Sequence, residues 1–333
     1  MTTSSLTQYF MPRIQIDVHT DAADLDAMRS ELRAGLLSTP RTIPTKYLYD
    51  DEGSALFERI SELPEYYQTR TERELLAKYA EHIIACTDAQ ELVELGSGAA
   101  TKTRILLNVM HRADRLRMYV PFDVSEGIVR RVAQELVLEY PTLQIHGIVG
   151  DFLAHLEHIP NGGRRLVVFL GGTIGNFSPT NAVKFLSSIY RAMEPGDYFL
   201  LGVQLEADVA RLEAAYNDTA GVTARFNKNI LSVLRARIGA DFDPDTFDHS
   251  AVYNRNAHRI EMRLRARYPL TVYIRDLDLT LNLQAGEELL TEISTKYDRP
   301  RAETLLAAAG FLTQHWYTDP HALIGLALAQ KPI

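Results

Sequence analysis

Short apolar runs and amphipathic stretches alternate along the chain from about residue 71 to residue 206. The run at residues 166–170 is apolar at every position, as expected of a central parallel strand that is buried on both faces. Four similar segments predict further strands, and the segments between them have apolar residues at helical spacing. The predicted strands are residues 91–95, 118–123, 143–149, 166–170 and 198–203. This alternation predicts an α/β fold with a largely parallel sheet and helices on both faces.

Helices are predicted between these strands and before the first of them. Ser178 followed by Pro179 is typical of a helix start, because serine caps free N–H groups and proline suits the first helical position. The other helices predicted in this part are residues 22–37, 71–85, 101–110 and 124–140. Residues 1–20 are expected to be weakly ordered.

The alternation ends near residue 206, and a different pattern follows. Residues 207–258 are predicted to be mostly helical and polar, with helices at 212–216 and 226–238. Residues 260–266 and 270–281 alternate with a period of two, which predicts antiparallel strands. The last predicted elements are a helix at 298–310 and two strands, near residues 315–317 and 323–329.

The first predicted strand of the alternating part leads directly into a glycine turn. Residues 91–98 are Glu-Leu-Val-Glu-Leu-Gly-Ser-Gly, and a predicted helix follows. Gly96 and Gly98 have no Cβ, so the backbone can approach a ligand closely there. Asp123 ends the next strand, where a carboxylate can accept hydrogen bonds from ribose hydroxyls. The strand, turn, helix and acid together predict a nucleoside-binding site.

The residues around the turn argue against some classes of nucleotide ligand and favour another. A dinucleotide fingerprint has glycine at the sixth place of its motif, and here that place is Thr101. Lys102 lacks the spacing of a phosphate-binding loop. Glu94 followed by Gly96 and Gly98 resembles instead the E/D-x-G-x-G motif of S-adenosylmethionine-dependent methyltransferases. For this motif alone, a tight turn without a ligand is an equal alternative.

Composition and charge exclude several classes of protein. At 333 residues the chain is long enough for two domains or one decorated domain. Its formal charge of -8 argues against nucleic acid as a partner. No apolar run reaches the ~18 residues of a membrane span, and the N-terminus lacks the pattern of a signal peptide. We therefore expect a cytoplasmic, monomeric enzyme that acts on a small molecule, without nucleic-acid or membrane partners.

The cysteine and histidine content predicts no metal site. The single cysteine, Cys86, excludes intrachain disulfides and cysteine-cluster metal sites, and fits a reducing compartment. His155 and His158 have a helical spacing, but without a third ligand we interpret them as a solvated surface pair.

Three polar stretches are candidates for ligand contacts. Residues 46–72 contain four tyrosines, and an apolar ring with a hydroxyl tip suits a polar pocket; a helix packed by its aromatics is the alternative. Asp151 and Phe152 follow the third strand, where they can bond an adenine amino group and pack against its ring; a turn with a core phenylalanine is the alternative. The glycine-rich loop at 171–179 places Asn176 at the carboxyl end of the central strand, where α/β sheets bind ligands.

Taken in order, seven segments of the chain resemble the L-histidine Nα-methyltransferases of ergothioneine biosynthesis. The match runs from about residue 25 to the end of the chain with the family's spacing. The segments are residues 47–50, 63–72, 92–98, 121–124, 164–176, 220–229 and 287–296. The resemblance implies a Rossmann-like class I methyltransferase sheet with a second, smaller α+β substrate-binding domain. The first domain would comprise residues 71–206 plus 297–333, and the second, which is discontinuous, residues 20–70 plus 207–296.

The resemblance also implies S-adenosyl-L-methionine as the cofactor and L-histidine as the substrate. The cofactor-binding residues that it implies are Gly96, Gly98, Lys102, Asp123, Asp151, Phe152 and Gly171. In the family, an asparagine and two tyrosines hold the amino-acid backbone, and these match Asn176, Tyr66 and Tyr216. Glu292 and Ser294 match the residues that bind the imidazole. Further pocket positions match Tyr49, Thr173 and Met262.

The reaction implied is successive transfer of methyl groups to the α-amino group of L-histidine. The product would be Nα,Nα,Nα-trimethylhistidine (hercynine), made in the first step of ergothioneine biosynthesis. The cofactor supplies an activated methyl group, so the protein has to supply geometry and a deprotonated amine. No side chain is obligatory for catalysis, and Tyr49 and Asn176 would orient the amine. Gly172, where relatives can carry serine, is expected to be a neutral difference.

Several alternatives remain at this stage. The enzyme could methylate another free amino acid, such as tryptophan. A dinucleotide-dependent oxidoreductase would share the fold but would need the third glycine. A noncatalytic protein that binds S-adenosylmethionine would have little reason to keep Tyr216, Glu292 and Ser294 together. Without the resemblance, Ser294 or Thr295 would simply cap the following helix, and Glu292 would lie in solvent.

Overall fold

The computed structural model describes residues 13–19 and 22–333, which contain a large sheet, a smaller sheet and a separate hairpin. The strands are β1 (Ile14–Val18), β2 (Arg41–Thr42), β3 (Glu91–Leu95), β4 (Met118–Asp123), β5 (Gln144–Val149), β6 (Arg165–Phe169), β7 (Tyr198–Gln204), β8 (Phe247–Asn254), β9 (Arg259–Ala266), β10 (Leu270–Ile274), β11 (Leu279–Leu283), β12 (Glu288–Thr295), β13 (Leu312–Thr318) and β14 (Ile324–Gln330). The helices are α1 (Ala22–Leu37), α2 (Asp51–Glu62), α3 (Tyr67–Thr87), α4 (Thr103–Arg112), α5 (Glu126–Glu139), α6 (Pro179–Ala192), α7 (Val209–Ala214), α8 (Val222–Ile238) and α9 (Arg299–Ala308).

The large sheet has the strand order β1-β5-β4-β3-β6-β7-β14-β13. Its neighbours are parallel except at β14, which runs antiparallel to both β7 and β13. Successive side chains of a strand point to opposite faces, so Leu92 packs with α3, α4 and α5 while Val93 packs with α6 and α9. Helices on both faces therefore bury the central strands. The predicted Rossmann-like class I sheet is confirmed.

A second core lies beside this sheet. The smaller sheet has the order β2-β12-β9-β8, and β10 pairs with β11 as a hairpin. The buried apolar residues of this core come from residues 32–66 and 212–289, and α1, α2 and α8 contribute to it. The polypeptide thus enters this core twice, once between β1 and β3 and once between β7 and α9.

Three predictions of local structure are wrong. Residues Ile14–Val18, within the segment expected to be weakly ordered, form β1 and pair in parallel with β5; residues 1–12 and 20 of that segment lie outside the described residues. Strand β8 occupies part of the segment predicted to be helical. Its sequence shows no alternation because only Phe247 and Ala251 are fully buried. Residues 270–281 form not one strand but β10 and the start of β11, joined by the 3-10 turn Arg275–Leu277.

The helix start at Ser178 is confirmed. Its side-chain oxygen accepts a hydrogen bond from the backbone N–H of Asn181 at 3.4 Å, and Pro179 is the first helical residue. Helix α3 begins at Tyr67, four residues before the predicted start, and α7 ends at Ala214, so Tyr216 lies beyond it. Among the helices of the described residues, none is both long enough and apolar enough to span a bilayer.

Candidate active site

The residues predicted to bind the cofactor lie together at one edge of the large sheet. Strands β5, β4, β3 and β6 are parallel neighbours, so their carboxyl ends meet there. The predicted residues are distributed along this edge as Asp151 and Phe152 after β5, Asp123 at the end of β4, Gly96 and Gly98 after β3, and Gly171 after β6. This carboxyl edge is where α/β sheets bind ligands.

The glycine turn after β3 is open on one side and anchored on the other. Gly96 and Gly98 have φ values of 72° and 47°, which residues with a Cβ rarely adopt. A Cβ on Gly98 would meet no described atom within 4 Å. The Gly98 N–H donates to Oδ2 of Asp123 at 2.8 Å, and the Ser125 N–H donates to Oδ1 at 3.0 Å. Burial raises the pKa of Asp123, and these backbone donors oppose the rise. The residues present therefore fit a nucleoside against the open side of the turn.

Phe152 belongs both to the core and to the cofactor edge. Its ring lies 5.7 Å from that of Phe169 and 5.4 Å from that of Phe185, measured between centroids. Its Cε1 also lies 3.9 Å from the place that a Cβ on Gly96 would occupy. The ring thus forms a wall next to the glycine turn, where a flat heterocycle can pack.

Asp151 has a cationic partner that the sequence analysis missed. Its Oδ2 accepts from Nζ of Lys46 at 2.9 Å, and Lys46 also pairs with Glu31 at 3.0 Å. Lys46 lies in the 3-10 turn Thr45–Leu48, within the tyrosine-rich segment. The ion pair therefore connects the second core with the cofactor edge. An adenine amino group bonded to Asp151 would share this carboxylate with Lys46.

Lys102 is held by a second residue that the sequence analysis missed, Glu72. The Lys102 ammonium donates to Oε2 of Glu72, and both carboxylate oxygens lie 3.0 Å from the backbone nitrogen of Gly171. Glu72 is only 2% exposed. It therefore connects α3 with the loop after β3 and with the loop after β6. A glutamate within a helix carries no local signal of such a role.

Glu94, the acid of the E-x-G-x-G motif, is directed into the protein. Its two oxygens accept hydrogen bonds from Thr103 Oγ1 and from the Tyr119 hydroxyl. Burial raises the pKa of Glu94 to about 7, against the effect of these donors. Its carboxylate thus holds β3, β4 and α4 together below the glycine turn.

Three of the predicted substrate residues are tyrosines from separate parts of the chain. Tyr49 follows the 3-10 turn Thr45–Leu48, Tyr66 precedes α3, and Tyr216 follows α7. The rings of Tyr66 and Tyr216 lie 6.2 Å apart. Burial raises the pKa of all three phenols, and the nearby charge of Glu292 raises it further. All three are therefore neutral hydroxyls at neutral pH, gathered around one carboxylate.

Glu292 is a buried carboxylate with no hydrogen-bond partner among the described residues. It lies on β12 opposite Met262 of β9 and is 8% exposed. Burial raises its pKa to about 7, and the charge of Lys296 opposes the rise. A buried ionised group without a partner is costly. The pocket therefore suits a ligand that donates a hydrogen bond to this carboxylate.

Ser294 lies two residues further along β12 and is fully buried. Its Oγ is 2.8 Å from the Tyr216 hydroxyl and 2.8 Å from Nζ of Lys296. Helix α9 is instead capped by Asp298, which accepts from the Arg301 N–H at 2.8 Å. The alternative in which Ser294 or Thr295 caps this helix and Glu292 lies in solvent is therefore wrong.

Asn176 and Thr173 lie in a 3-10 turn, Thr173–Asn176, that rests directly on β12. A Cβ on Gly175 would lie 2.8 Å from the carbonyl oxygen of Thr295, so this contact requires glycine. Thr173 Oγ1 donates to the carbonyl of Leu170 at 2.9 Å. The turn places Asn176 beside the strand that carries Glu292 and Ser294.

Gly172 is not the neutral position that the sequence analysis expected. Its φ is 70°, and a Cβ would lie 2.6 Å from Cγ of Gln204. Gln204 Oε1 accepts a hydrogen bond from Lys296 and lies 3.2 Å from the Tyr216 hydroxyl. A serine at 172 would therefore strain the backbone and displace a side chain of the pocket.

The interpretation of His155 and His158 as a solvated surface pair applies to His158, whose side chain is 39% exposed, although both rings also contact His19. The ring of His158 stacks on that of His19 with centroids 3.7 Å apart, and the His155 ring lies 5.6 Å from His19. His19 directly follows β1, the strand that the sequence analysis did not predict.

The sheet order and the arrangement of glycine turn, strand-end aspartate and aromatic wall define an S-adenosylmethionine-dependent methyltransferase. The profile of a family described as histidine-specific, SAM-dependent methyltransferases matches residues 28–331. The chain is 48% identical to a histidine N-alpha-methyltransferase of Mycolicibacterium smegmatis, over 92% of this chain and 95% of that one. It is 46% identical to a histidine N-alpha-methyltransferase of Mycobacterium tuberculosis, over 93% and 97%. Ergothioneine biosynthesis protein 1 of Neurospora crassa is 36% identical over 60% of this chain and 23% of that one. The chain belongs to the histidine-specific, S-adenosylmethionine-dependent methyltransferases.

Proposed function

We propose that the protein transfers methyl groups from S-adenosylmethionine to the α-amino group of L-histidine. Transfer is successive and yields Nα,Nα,Nα-trimethylhistidine (hercynine), in the first step of ergothioneine biosynthesis. The observation that carries the choice of substrate is Glu292, a buried carboxylate that lacks a hydrogen-bond donor among the described residues. A ligand with an N–H group in its side chain supplies that donor.

Imidazole matches the two polar groups of β12. The neutral ring has one N–H donor and one nitrogen acceptor. Glu292 can accept from the N–H. Ser294 Oγ accepts from Lys296 and, through the shorter of the two contacts open to the Tyr216 proton, from Tyr216, so its own hydroxyl proton is available for the second nitrogen. Residues two apart on a strand point to the same side, which allows both groups to meet one ring.

The amine would be held by neutral groups. The phenols of Tyr49, Tyr66 and Tyr216 stay protonated at neutral pH because burial raises their pKa. Neutral hydroxyls and the Asn176 amide can orient an amine without favouring the ammonium form, which has no lone pair to react. Burial also excludes water from this part of the pocket.

Tyr49 connects the substrate pocket with the cofactor edge. Both Glu292 and Asp123 act electrostatically on its phenol, so the tyrosine lies between the two groups of residues. S-adenosylmethionine, when bound at Asp123, supplies the activated methyl group. The chain's contribution is to hold the amine in line with that group, roughly 3 Å away, which can lower the barrier by several kcal/mol. No hydrogen bond from the last amine proton is needed, so a third transfer is possible.

The test is incubation of the purified protein with S-adenosylmethionine and each of the twenty amino acids, followed by mass spectrometry. We expect histidine alone to gain methyl groups, and to gain three. Preferential methylation of tryptophan would support the alternative substrate. Cofactor binding without transfer to any amino acid would support a noncatalytic role.

Three further expectations remain proposals. We propose that residues 71–206 plus 297–333 form the cofactor-binding domain, and residues 20–70 plus 207–296 the substrate-binding domain. The two separate cores and the two sheets support this division. We also propose that the enzyme is a monomer and acts in the cytoplasm, and gel filtration with cell fractionation tests both statements.

A further inference from the structure

Lys296, which follows β12, is a fully buried lysine that the proposed mechanism has not yet used. Its exposed fraction is 0%. Lysine is almost never fully buried unless it is paired. Its Nζ lies 2.8 Å from Ser294 Oγ and 3.0 Å from the Tyr216 hydroxyl, and it also donates to Gln204 Oε1. The same ammonium lies 4.8 Å from the centroid of the Tyr216 ring.

A count of donors and acceptors determines the direction of the hydrogen bonds around Lys296. An ammonium has three N–H donors and no acceptor. Three oxygens surround Lys296, so all its donors are used. Ser294 Oγ must therefore accept from Lys296 and cannot donate back to it. The Tyr216 hydroxyl accepts from Lys296 and has one proton, which the shorter contact, 2.8 Å to Ser294 Oγ against 3.2 Å to Gln204 Oε1, assigns to the serine. The serine proton is then free to point to the pocket, on the side of β12 where Glu292 also lies.

Lys296 also provides the positive charge nearest to Glu292. Burial lowers the pKa of Lys296 to about 7, and the Glu292 carboxylate opposes that fall; the charge of Lys296 in turn opposes the rise in the pKa of Glu292. The other ionisable groups around this pair are the phenols of Tyr49, Tyr66 and Tyr216, which are neutral at neutral pH. Loss of the lysine would leave Glu292 without a compensating charge.

We propose that Lys296 is a positioning residue for side-chain recognition, which fixes Ser294 as a hydrogen-bond donor and places a positive charge beside the acceptor Glu292. The inference rests on the proposed function, because it assigns the two polarities that a neutral imidazole requires. Recognition of the substrate side chain then also depends on Lys296, a residue that does not contact the substrate.

The test compares Lys296→Met, which keeps the length of the side chain but removes its charge, with Lys296→Arg. For Lys296→Met we expect the KM for histidine to rise at least ~10-fold, the usual effect of losing a hydrogen bond to a charged group. The affinity for S-adenosylmethionine should stay within about twofold, because the cofactor contacts lie elsewhere. The acid limb of the kcat/KM profile should move to higher pH, since Glu292 loses the charge that keeps it ionised. Lys296→Arg should restore the acid limb.

Lys331 offers a matched control. Its Nζ lies 4.7 Å from the ring centroid of Tyr190 and donates to the carbonyls of Tyr190 and Met193, outside the substrate pocket. Lys331→Met should leave the KM for histidine and the pH profile unchanged. A Ser294→Ala variant completes a double-mutant cycle, in which the effects of Ser294→Ala and Lys296→Met should not add.

Failure of the proposed function and failure of the proposed role of Lys296 give different results. If the wild-type protein does not methylate histidine, the proposed function fails. If it does, and folded Lys296→Met keeps the wild-type KM and pH profile, the role of Lys296 is refuted. Should Lys296→Met not fold, Lys296→Gln, which also lacks the charge, takes its place, and a folded Lys296→Gln protein with the wild-type KM and acid limb refutes the role of Lys296.

A second inference rests on a separate cluster on the outer face of α3. His82 and Cys86 are one helical turn apart, and His315 of β13 lies directly after a β-bulge. Cys86 Sγ lies 3.7 Å from Nε2 of His82 and 3.6 Å from Nε2 of His315. Bond lengths of about 2.3 Å for zinc to sulfur and 2.0 Å to nitrogen give a tetrahedral S–N separation of about 3.5 Å. Nδ1 of His82 lies 2.8 Å from the Tyr317 hydroxyl, and in the tautomer in which Nδ1–H donates to that hydroxyl, Nε2 is available as a ligand.

We infer that His82, Cys86 and His315 bind Zn²⁺, in place of the earlier prediction of no metal site. Calorimetry of the chelator-treated protein with Zn²⁺ should show one site, which Cys86→Ser and His315→Ala remove and His321→Ala, an exposed histidine, retains. With Co²⁺, the wild-type protein should give a thiolate charge-transfer band that Cys86→Ser lacks. Equal Zn²⁺ binding by the wild-type and Cys86→Ser proteins would mean adventitious binding, and no binding by the wild type would equally refute the site.

Discussion

Replacement of Glu292 by alanine tests the substrate pocket most directly. In the wild-type protein this carboxylate is 8% exposed and has no hydrogen-bond donor among the described residues. Histidine would bring the missing donor, so alanine removes one charge-assisted hydrogen bond and leaves an imidazole N–H unpaired. The cofactor edge is unchanged, because its contacts come from other loops.

The expected effect follows from the type of bond that is lost. A hydrogen bond to a charged group contributes about 1.5–3 kcal/mol. Since about 1.4 kcal/mol corresponds to a factor of ten, the KM for histidine should rise roughly 10- to 100-fold. Discrimination against phenylalanine should weaken, because this side chain has no N–H and leaves the wild-type carboxylate without a donor. Discrimination against tryptophan should weaken less, because its ring has an N–H and lacks only an acceptor nitrogen for Ser294. Glu292→Gln keeps an acceptor oxygen without the charge and should fall between alanine and the wild type.

Two measurements are needed for this prediction. Steady-state kinetics give KM and kcat for the three amino acids, and calorimetry gives histidine affinity in the presence of S-adenosylhomocysteine. Glu288→Ala is the matched control, since Glu288 lies on the same strand but pairs with Arg263 at 2.7 Å and is partly exposed. If Glu292→Ala keeps the wild-type KM and the same preference for histidine over tryptophan, Glu292 does not contact the imidazole.

Four further outcomes are expected. Asp123→Ala should weaken S-adenosylmethionine binding by about 1–3 kcal/mol, and calorimetry showing unchanged affinity in the folded variant would remove Asp123 from the site. Gly172→Ser should destabilise the protein by about 1–3 kcal/mol in chemical denaturation and raise the KM for histidine, whereas Gly127→Ser, with open space around its Cβ, should do neither. The KM for histidine should rise as the pH falls through about 7, because protonated Glu292 is a poorer acceptor; Glu292→Gln should lack this part of the dependence, and identical profiles would contradict it. With excess cofactor the product should be the trimethyl form, and accumulation of the monomethyl form alone would contradict successive transfer.

The large sheet could be predicted from the sequence because of how it is buried. Strands such as β3 and β6 face helices on both sides, so apart from Glu91, Glu94 and Arg165 their residues are apolar and stand out from their surroundings. Strands β1 and β8 could not be predicted in this way. Both lie at sheet edges and are only partly buried. The residues of β1 alternate between apolar and polar over only five positions, and those of β8 have no regular period.

Some residues of the candidate site could also be predicted from the sequence, and others could not. The glycine turn and Asp123 could be predicted because motif and geometry are local to one strand, turn and helix. Lys46, Glu72 and Lys296 could not, since each acts through a partner distant in sequence or through a buried position that a lysine seldom occupies. Glu292 and Ser294 were identified through family resemblance rather than through any pattern in the residues themselves.

The contact between Gly175 and Thr295 restricts how substrate preference can change during evolution. Backbone meets backbone there without an intervening side chain, so the turn with Asn176 and the strand with Glu292 behave as one rigid piece. Spreading the two segments to admit a bulkier acceptor would also shift the amine from its line of attack. A homologous enzyme with a different substrate would therefore have to differ in the side chains that face the substrate ring, such as Glu292 and Met262. The backbone of the turn and of β12 would stay the same.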